Sequence, residues 1–215
     1  MNPEFRKLAS ETLLHKRGIR INLQLPEIES NEEIQLRSAD ELFRRLVALW
    51  AVSGSSQMRD ATYFRDYIVH HKMKSWLSDR EREFLFGDAR TDEDYTQFSC
   101  KREALFFLAW CADLIKEIEI PSSESSIKLI MTLFPQEMEA PSRLQAAIRM
   151  RSKDAMLDWA DLLYRVHWAV RHATLINKPV PANLDVVAVQ EWHQAVNWMI
   201  RYDDEDNWDC VGTDT

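Results

Sequence analysis

Residues 158–173 carry the side chains best suited to chemistry: Asp-Trp-Ala-Asp-Leu-Leu-Tyr-Arg-Val-His-Trp-Ala-Val-Arg-His-Ala. Wound as a helix at about 100° per residue, Trp159, Leu162, Leu163, Val166, Ala169, Val170, Ala173 and Ile176 share one arc of roughly 140°. Asp161, Tyr164, Arg165, His167, Trp168, Arg171 and His172 fill the other side. Asp161, Arg165, Trp168 and His172 fall within about 60° of one another, and Asp161 and Arg165 have the i,i+4 spacing of an ion pair. A solvated helix face is normally Lys, Glu, Gln and Ser. A face of indole, phenol, guanidinium and imidazole predicts contact with another helix, the chain's own tail, a ligand or a partner. Two chemistries fit it. Trp and Arg are the residues most enriched at binding hot spots, which suits a recognition surface. A polar pocket is the other, with His167 or His172 as a general base, although such histidines more often serve as hydrogen-bonding groups. The purely structural reading has a helix or the tail packed there and Arg165 holding it.

A second unusual face lies on the last predicted helix, where Glu191, Gln194, Trp198 and Arg201 share one side opposite Val189, Trp192, Val196 and Met199. The tail follows, with five of residues 203–209 acidic. Carboxylates at a helix C-terminus oppose the helix dipole by about 0.3–1 kcal/mol each, so something must offset them: solvent, a cation, or arginines such as Arg165 and Arg171. An indole in a tail, Trp208, predicts docking. The expectation is that 203–215 folds back onto the 158–173 face, with Trp198 near Trp168.

Several classes are disfavoured. His167 and His172 diverge by about 140° around a helix, His70 and His71 are adjacent, and no H-E-x-x-H occurs. The acidic tail lacks the spacing and closing glutamate of a calcium loop. There is no nucleophile elbow, Walker loop or G-x-G-x-x-G, and 4 Gly in 215 residues leave little material for phosphate-cradling loops. No cofactor and no metal are expected. A net charge of −8 argues against nucleic acid and anionic membranes and favours a basic partner. No run approaches the roughly 18 apolar residues of a membrane span. Three cysteines without C-x-x-C spacing read as reduced thiols, and the N-terminus lacks a signal-peptide core, so a cytoplasmic location is expected.

The elements that must position these groups are helical. Few glycines disfavour tight hairpins and an all-β fold. Residues 4–17 read as a helix stopped by Gly18. Ile19, Ile21, Leu23 and Leu25 alternate, as in a short strand or a strap, before an acidic loop over 27–37. Ser38-Ala-Asp-Glu41 is a capping box opening a helix through Ala51, stopped by Ser53-Gly-Ser-Ser56. A helix is expected over 57–75, and a second capping box, Ser78-Asp-Arg-Glu81, opens a short one ending near Gly87. The acidic residues 88–94 are a loop or helix start, followed by a very apolar central helix to about Glu117. Further helices are expected from Pro121 to near Pro135, from Pro141, over 153–176 and over 184–202, with Lys178-Pro-Val-Pro181 as a stiff connection.

Certain residues resemble a known family. Arg17-Gly-Ile19 with Leu25-Pro26, Leu36-Arg-Ser38, and Lys101-Arg-Glu-Ala104 with Leu108-Ala-Trp110 are similar to its N-terminal and middle patterns. Asp161-Leu-Leu-Tyr-Arg-Val-His-Trp168, Asn197-Trp198, Trp208-Asp209 and Thr213-Asp-Thr215 resemble its C-terminal signature. The resemblance is to the bacterial domain-of-unknown-function 4272 family, over about residues 15–215. It implies a soluble, mostly helical domain with no activity to carry over. It marks Arg165, His167, Trp168, Trp208, Asp209 and Asp214 as motif positions, and its polar ends imply that Asp209 or Asp214 pairs with Arg165 or Arg171. Where the family pattern has arginine after the glutamate of the last helix, this chain has Trp192.

The expectation is therefore an all-α protein, one domain over 1–215 with about eight helices and a short extended segment near 19–25. Its expected role is a protein-binding module of the immunity or antitoxin type, neutralising a basic partner without turnover. The alternative is an enzyme or small-molecule binder whose polar pocket joins the Tyr-Arg-x-His-Trp helix to the acidic tail. The candidate surface is Asp161, Arg165, His167, Trp168, Arg171, His172, Trp198, Trp208, Asp209 and Asp214.

Overall fold

Eight α-helices carry the chain in a computed structural model that describes residues 2–215. They are α1 (Pro3–Lys16), α2 (Ala39–Met58), α3 (Thr62–His70), α4 (Asp79–Phe86), α5 (Asp92–Cys111), α6 (Ser142–Ala147), α7 (Lys153–Leu175) and α8 (Val186–Met199). No strand occurs among the described residues, and no helix is long and apolar enough to cross a membrane.

Local chemistry sets the helix starts. Ser38 with Glu41, Ser78 with Glu81 and Thr91 with Asp94 form reciprocal capping boxes at α2, α4 and α5. Each cap is worth about 1 kcal/mol. Ser152 and Asp185 cap α7 and α8.

The long helices stack in the order α2, α5, α8, α7, α1. One apolar cluster fills the space among α2, α5 and α8 and includes Leu46, Leu105, Phe107, Trp192 and Met199. A second joins α1 to α7 through Leu14, Ile19, Val166 and Val170. Phe107 also meets Trp110, Trp159 and Trp192 in a ring-edge cluster. Helix α7 lies between the two clusters, so both of its sides are covered.

Several expected boundaries move, each for a visible reason. Helix α2 runs through Ser53-Gly-Ser-Ser56 to Met58. Gly54 is there for packing: a Cβ on it would lie 2.3 Å from the Phe64 ring of α3. The helix expected over 57–75 shortens to α3, because Arg59 turns left-handed at φ 51° and ends α2. Helix α5 stops at Cys111, not near Glu117. Arg149 and Arg151 donate backbone N–H groups to the Ala112 and Cys111 carbonyls, and Arg151 Nε donates to Trp110 O at 2.7 Å. The helix expected from Pro121 to Pro135 is irregular chain with one short 3₁₀ turn at Met131–Leu133. Glu103 of α5 fixes it by accepting from Ser125 N. Residues 19–25 form a strap without strand pairing. Ile19 and Leu25 are buried while Leu23 is exposed, and Lys7 Nζ donates to the Leu23 and Leu25 carbonyls.

Candidate functional site

Arg165 and Asp161 sit one turn apart on α7, and both are buried. Arg165 Nε and Nη2 donate to Asp161 at 3.0 and 2.8 Å, Nη2 also donates to Pro26 O at 2.9 Å, and Nη1 lies 3.4 Å from Glu11 of α1. The guanidinium thus ties α1 and the strap to α7. A cation withdrawn from water needs such partners. The expected pairing of Arg165 with Asp209 or Asp214 is replaced by carboxylates already within the bundle.

On the neighbouring side of α7, His167 meets His193 of α8. Their Nδ1 atoms lie 2.9 Å apart, and the rings are nearly perpendicular. Burial lowers His167 to about 4, with Arg171 adding to the shift. Burial lowers His193 to about 3, with His167 adding to it. Both imidazoles are neutral at pH 7. One Nδ1 must carry a proton and donate while the other accepts. The one hydrogen bond of His193 among the described residues is at Nδ1, which leaves Nε2 free to meet a group in the cavity beside it.

His193 lines a cavity of about 450 Å³. Tyr164 and Arg171 contribute from α7, His193 and Asn197 from α8, Pro26–Glu29 from the strap, and Tyr202, Asp214 and Thr215 from the tail. Asn197 Nδ2 donates to Gly212 O at 2.9 Å and Arg171 Nη1 to the Thr215 hydroxyl at 3.2 Å, so both helices hold the tail over the opening. Glu27, Glu29 and Asp214 form no ion pair among the described residues, and Arg171 is the one cation in the lining. Burial raises the Tyr202 hydroxyl, and Asp203, Asp214 and Glu29 push it further. Tyr164 is raised by burial, opposed by Arg165 and reinforced by Asp161 and Asp214. The cavity is polar, mildly acidic and floored by a neutral imidazole. It can offer hydrogen bonds from two phenols, an amide and an imidazole.

Of the expected surface, Arg171 and Asp214 line this cavity and His167 stands behind it. Asp161 and Arg165 brace the fold. Trp168 stacks on His172 at 4.8 Å instead of meeting Trp198. Trp198 is buried beneath the Arg37 guanidinium and meets Trp208 edge-on at 5.8 Å. Trp208 lies between Arg45 and Lys101, so the tail docks on the α2, α5 and α8 side and reaches α7 only at its end. Asp209 accepts from Arg80 N, in the first turn of α4. The cations that offset the acidic tail are Arg37 and Arg201, both paired with Asp206, not Arg165 and Arg171. Arg37 N and Nε also take up the Met199 and Trp198 carbonyls at the end of α8.

His193, Asn197 and Tyr202 were missed as site residues. The first two are an i,i+4 polar pair on α8, a signal readable from spacing. Trp192 is a core residue: its indole donates to Glu103 and stacks on Phe106. Lys101 pairs with buried Glu191, whose carboxyl is raised by burial against the pull of Lys101. Cys111 is buried and its thiol is pushed up by burial, as befits a core filler. No group of three or more His, Cys, Asp or Glu among the described residues could hold a metal ion.

No curated protein and no solved structure matches the chain. A family model described as a domain of unknown function, DUF4272, matches residues 6–211, and with nearly the whole fold inside that match the chain belongs to the DUF4272 family.

Proposed function

We propose that this chain is a small-molecule-binding domain whose ligand occupies the cavity between α7, α8, the strap and the tail. One observation carries this reading. Four segments distant in sequence converge on a single polar cavity, and His193, almost fully buried at its wall, makes its one hydrogen bond among the described residues through Nδ1, which leaves Nε2 for a ligand. A volume of about 450 Å³ is in the size class of small-molecule sites. The lining favours a neutral or cationic ligand bearing hydroxyl or amine groups, because its carboxylates outnumber its one guanidinium. A ligand that donates to His193 Nε2 would fix His193 as the Nδ1–H donor to His167. Turnover draws no support: no nucleophile with an adjacent base lines the cavity among the described residues.

A protein partner of the immunity or antitoxin type draws less support. The aromatic and charged face behind that expectation is filled from within, by α1 at Arg165 and by α8 at His167.

A thermal-shift panel of polyols, sugars, primary amines and carboxylates tests the proposal. A polyol, sugar or amine should raise the melting temperature, and Asp214→Asn and Asn197→Ala should abolish that rise. Stabilisation unaffected by both changes, or none by any compound, would overturn it.

A further inference from the structure

A second cavity, of about 330 Å³, opens where Trp198 rather than Asn197 faces outward from α8. The first turns of α2, the start of α4 and residues 206–208 enclose it. Arg45 lines it with a side chain only 5% exposed, its guanidinium 4.7 Å from the Trp208 ring centre. Only Nη2 is paired, and it goes to both oxygens of Glu81. Nε is buried without an acceptor, and Nη1 makes no hydrogen bond among the described residues. Arg37, in the same wall, differs: all three of its nitrogens are bonded, to Trp198 O, Glu41, Asp206 and Glu205 O. Leaving guanidinium donors unmet costs their desolvation, and an apolar side chain beside Trp208 would avoid that cost. A buried cation with spare donors on a cavity wall calls for an acceptor inside the cavity.

The rim suits that acceptor. Arg44 and Arg82 are half-exposed and, among the described residues, ion-pair only with Asp40 and Asp79 on their own helices, Arg44 also lying 5.8 Å over the Trp76 ring. Exposed pairs of this kind are weak and exchange readily. Ser75 and Ser78 add hydroxyls. Of the lining carboxylates, Glu41 and Asp206 are already neutralised by Arg37 and Arg201, and Asp79, at the exposed rim, is paired with Arg82. We propose that this cavity binds the oxyanion group, phosphate or carboxylate, of a small ligand, with Arg45 as the buried contact and Arg44 and Arg82 closing over it. The acidic chain as a whole repels anions, so the selectivity is local.

Calorimetric titration of the full chain with phenyl phosphate and with benzoate, at ionic strength matched by chloride, tests this. At least one probe should bind and shift the Arg45 Nε–H resonance. Arg44→Gln with Arg82→Gln should weaken that binding roughly tenfold or more, since charge-assisted contacts are lost. Both changes are on exposed side chains and leave the probe-free melting temperature unchanged. Binding of phenyl phosphate alone identifies a phosphate site, and binding of benzoate alone a carboxylate site. Binding of neither, or equal binding by the double variant, overturns the proposal. Asp214→Asn, in the first cavity, leaves the result unchanged.

Discussion

His167 Nδ1 lies 2.9 Å from His193 Nδ1, and this one contact joins α7 to α8 directly behind the candidate cavity. Burial holds both imidazoles neutral while they share one proton across this contact. A proton added to either would place a charge in a buried site beside Arg171.

That arrangement makes stability depend on pH. The folded pKa values, about 4 and about 3, lie below the ordinary histidine value of 6.5. Between those limits the unfolded chain binds protons that the folded chain refuses. Stability is therefore complete above about pH 6.5 and falls as pH drops, because the unfolded state then binds more protons. The expected loss by about pH 5 is up to about 2 kcal/mol for each imidazole. Urea denaturation at a series of pH values measures it. His193→Gln, which cannot titrate, should flatten the slope between about pH 5 and 6.5. An unchanged slope would mean that the pair is solvated in solution.

Arg165→Ala should be among the most damaging substitutions in the chain. It strands Asp161, which is fully buried and has Arg165 as its only ion-pair partner among the described residues. Removing one member of a buried pair costs about 3–5 kcal/mol. Arg165→Met, with Asp161→Leu alongside, should recover much of that loss, because it leaves no unpaired charge. Guanidinium denaturation of the single and double variants separates these outcomes. A loss under about 0.5 kcal/mol for Arg165→Ala would show the arginine to be solvated.

Much of the fold could be read from spacing and caps. The boxes at Ser38 and Ser78, the Gly18 stop and the 3.6-residue period of α7 are local signals, and local interactions realise them. The boundaries that moved depend on partners distant in sequence. Cys111 ends α5 because Arg151 takes up its carbonyls, and residues 121–135 stay irregular while Glu103 holds Ser125. The unusual face of α7 was legible as a face that must meet something. What it meets was not, because the competing carboxylates are equivalent on the page. The Asp161–Arg165 pair follows from its i,i+4 spacing, but Glu11 of α1 reaches Arg165 where Asp209 and Asp214 do not, and only the stacking order of the helices decides that.

Trp208→Ala tests whether the tail is part of the fold. The indole is buried against Trp198, Arg45 and Lys101. Truncating a buried tryptophan costs about 3–5 kcal/mol. The same change should expose Gln194, which donates to Trp208 O, and speed proteolysis after residue 202. Limited proteolysis with mass spectrometry reads this out. Wild-type resistance in a folded Trp208→Ala protein would mean that the tail's polar contacts with Arg37, Arg201, Asn197 and Arg171 hold it without the indole.

Gly54→Ala separates the packing role of this glycine from its helix propensity. Alanine favours a helix interior by about 1 kcal/mol over glycine, so an uncrowded site would gain stability. Here the added methyl would meet the Phe64 ring at 2.3 Å, and α3 must shift or the ring must turn. Phe64 is itself packed edge-on against Trp50 and Tyr63, which leaves it little room to turn. Overpacking of this kind costs about 1–3 kcal/mol, so the net effect is a destabilisation. Gly54→Ala with Phe64→Leu should be more stable than Gly54→Ala alone, because the smaller side chain yields the space. Thermal unfolding of the two proteins decides the matter, and a stabilised single variant would show that α3 does not rest on α2 at this point.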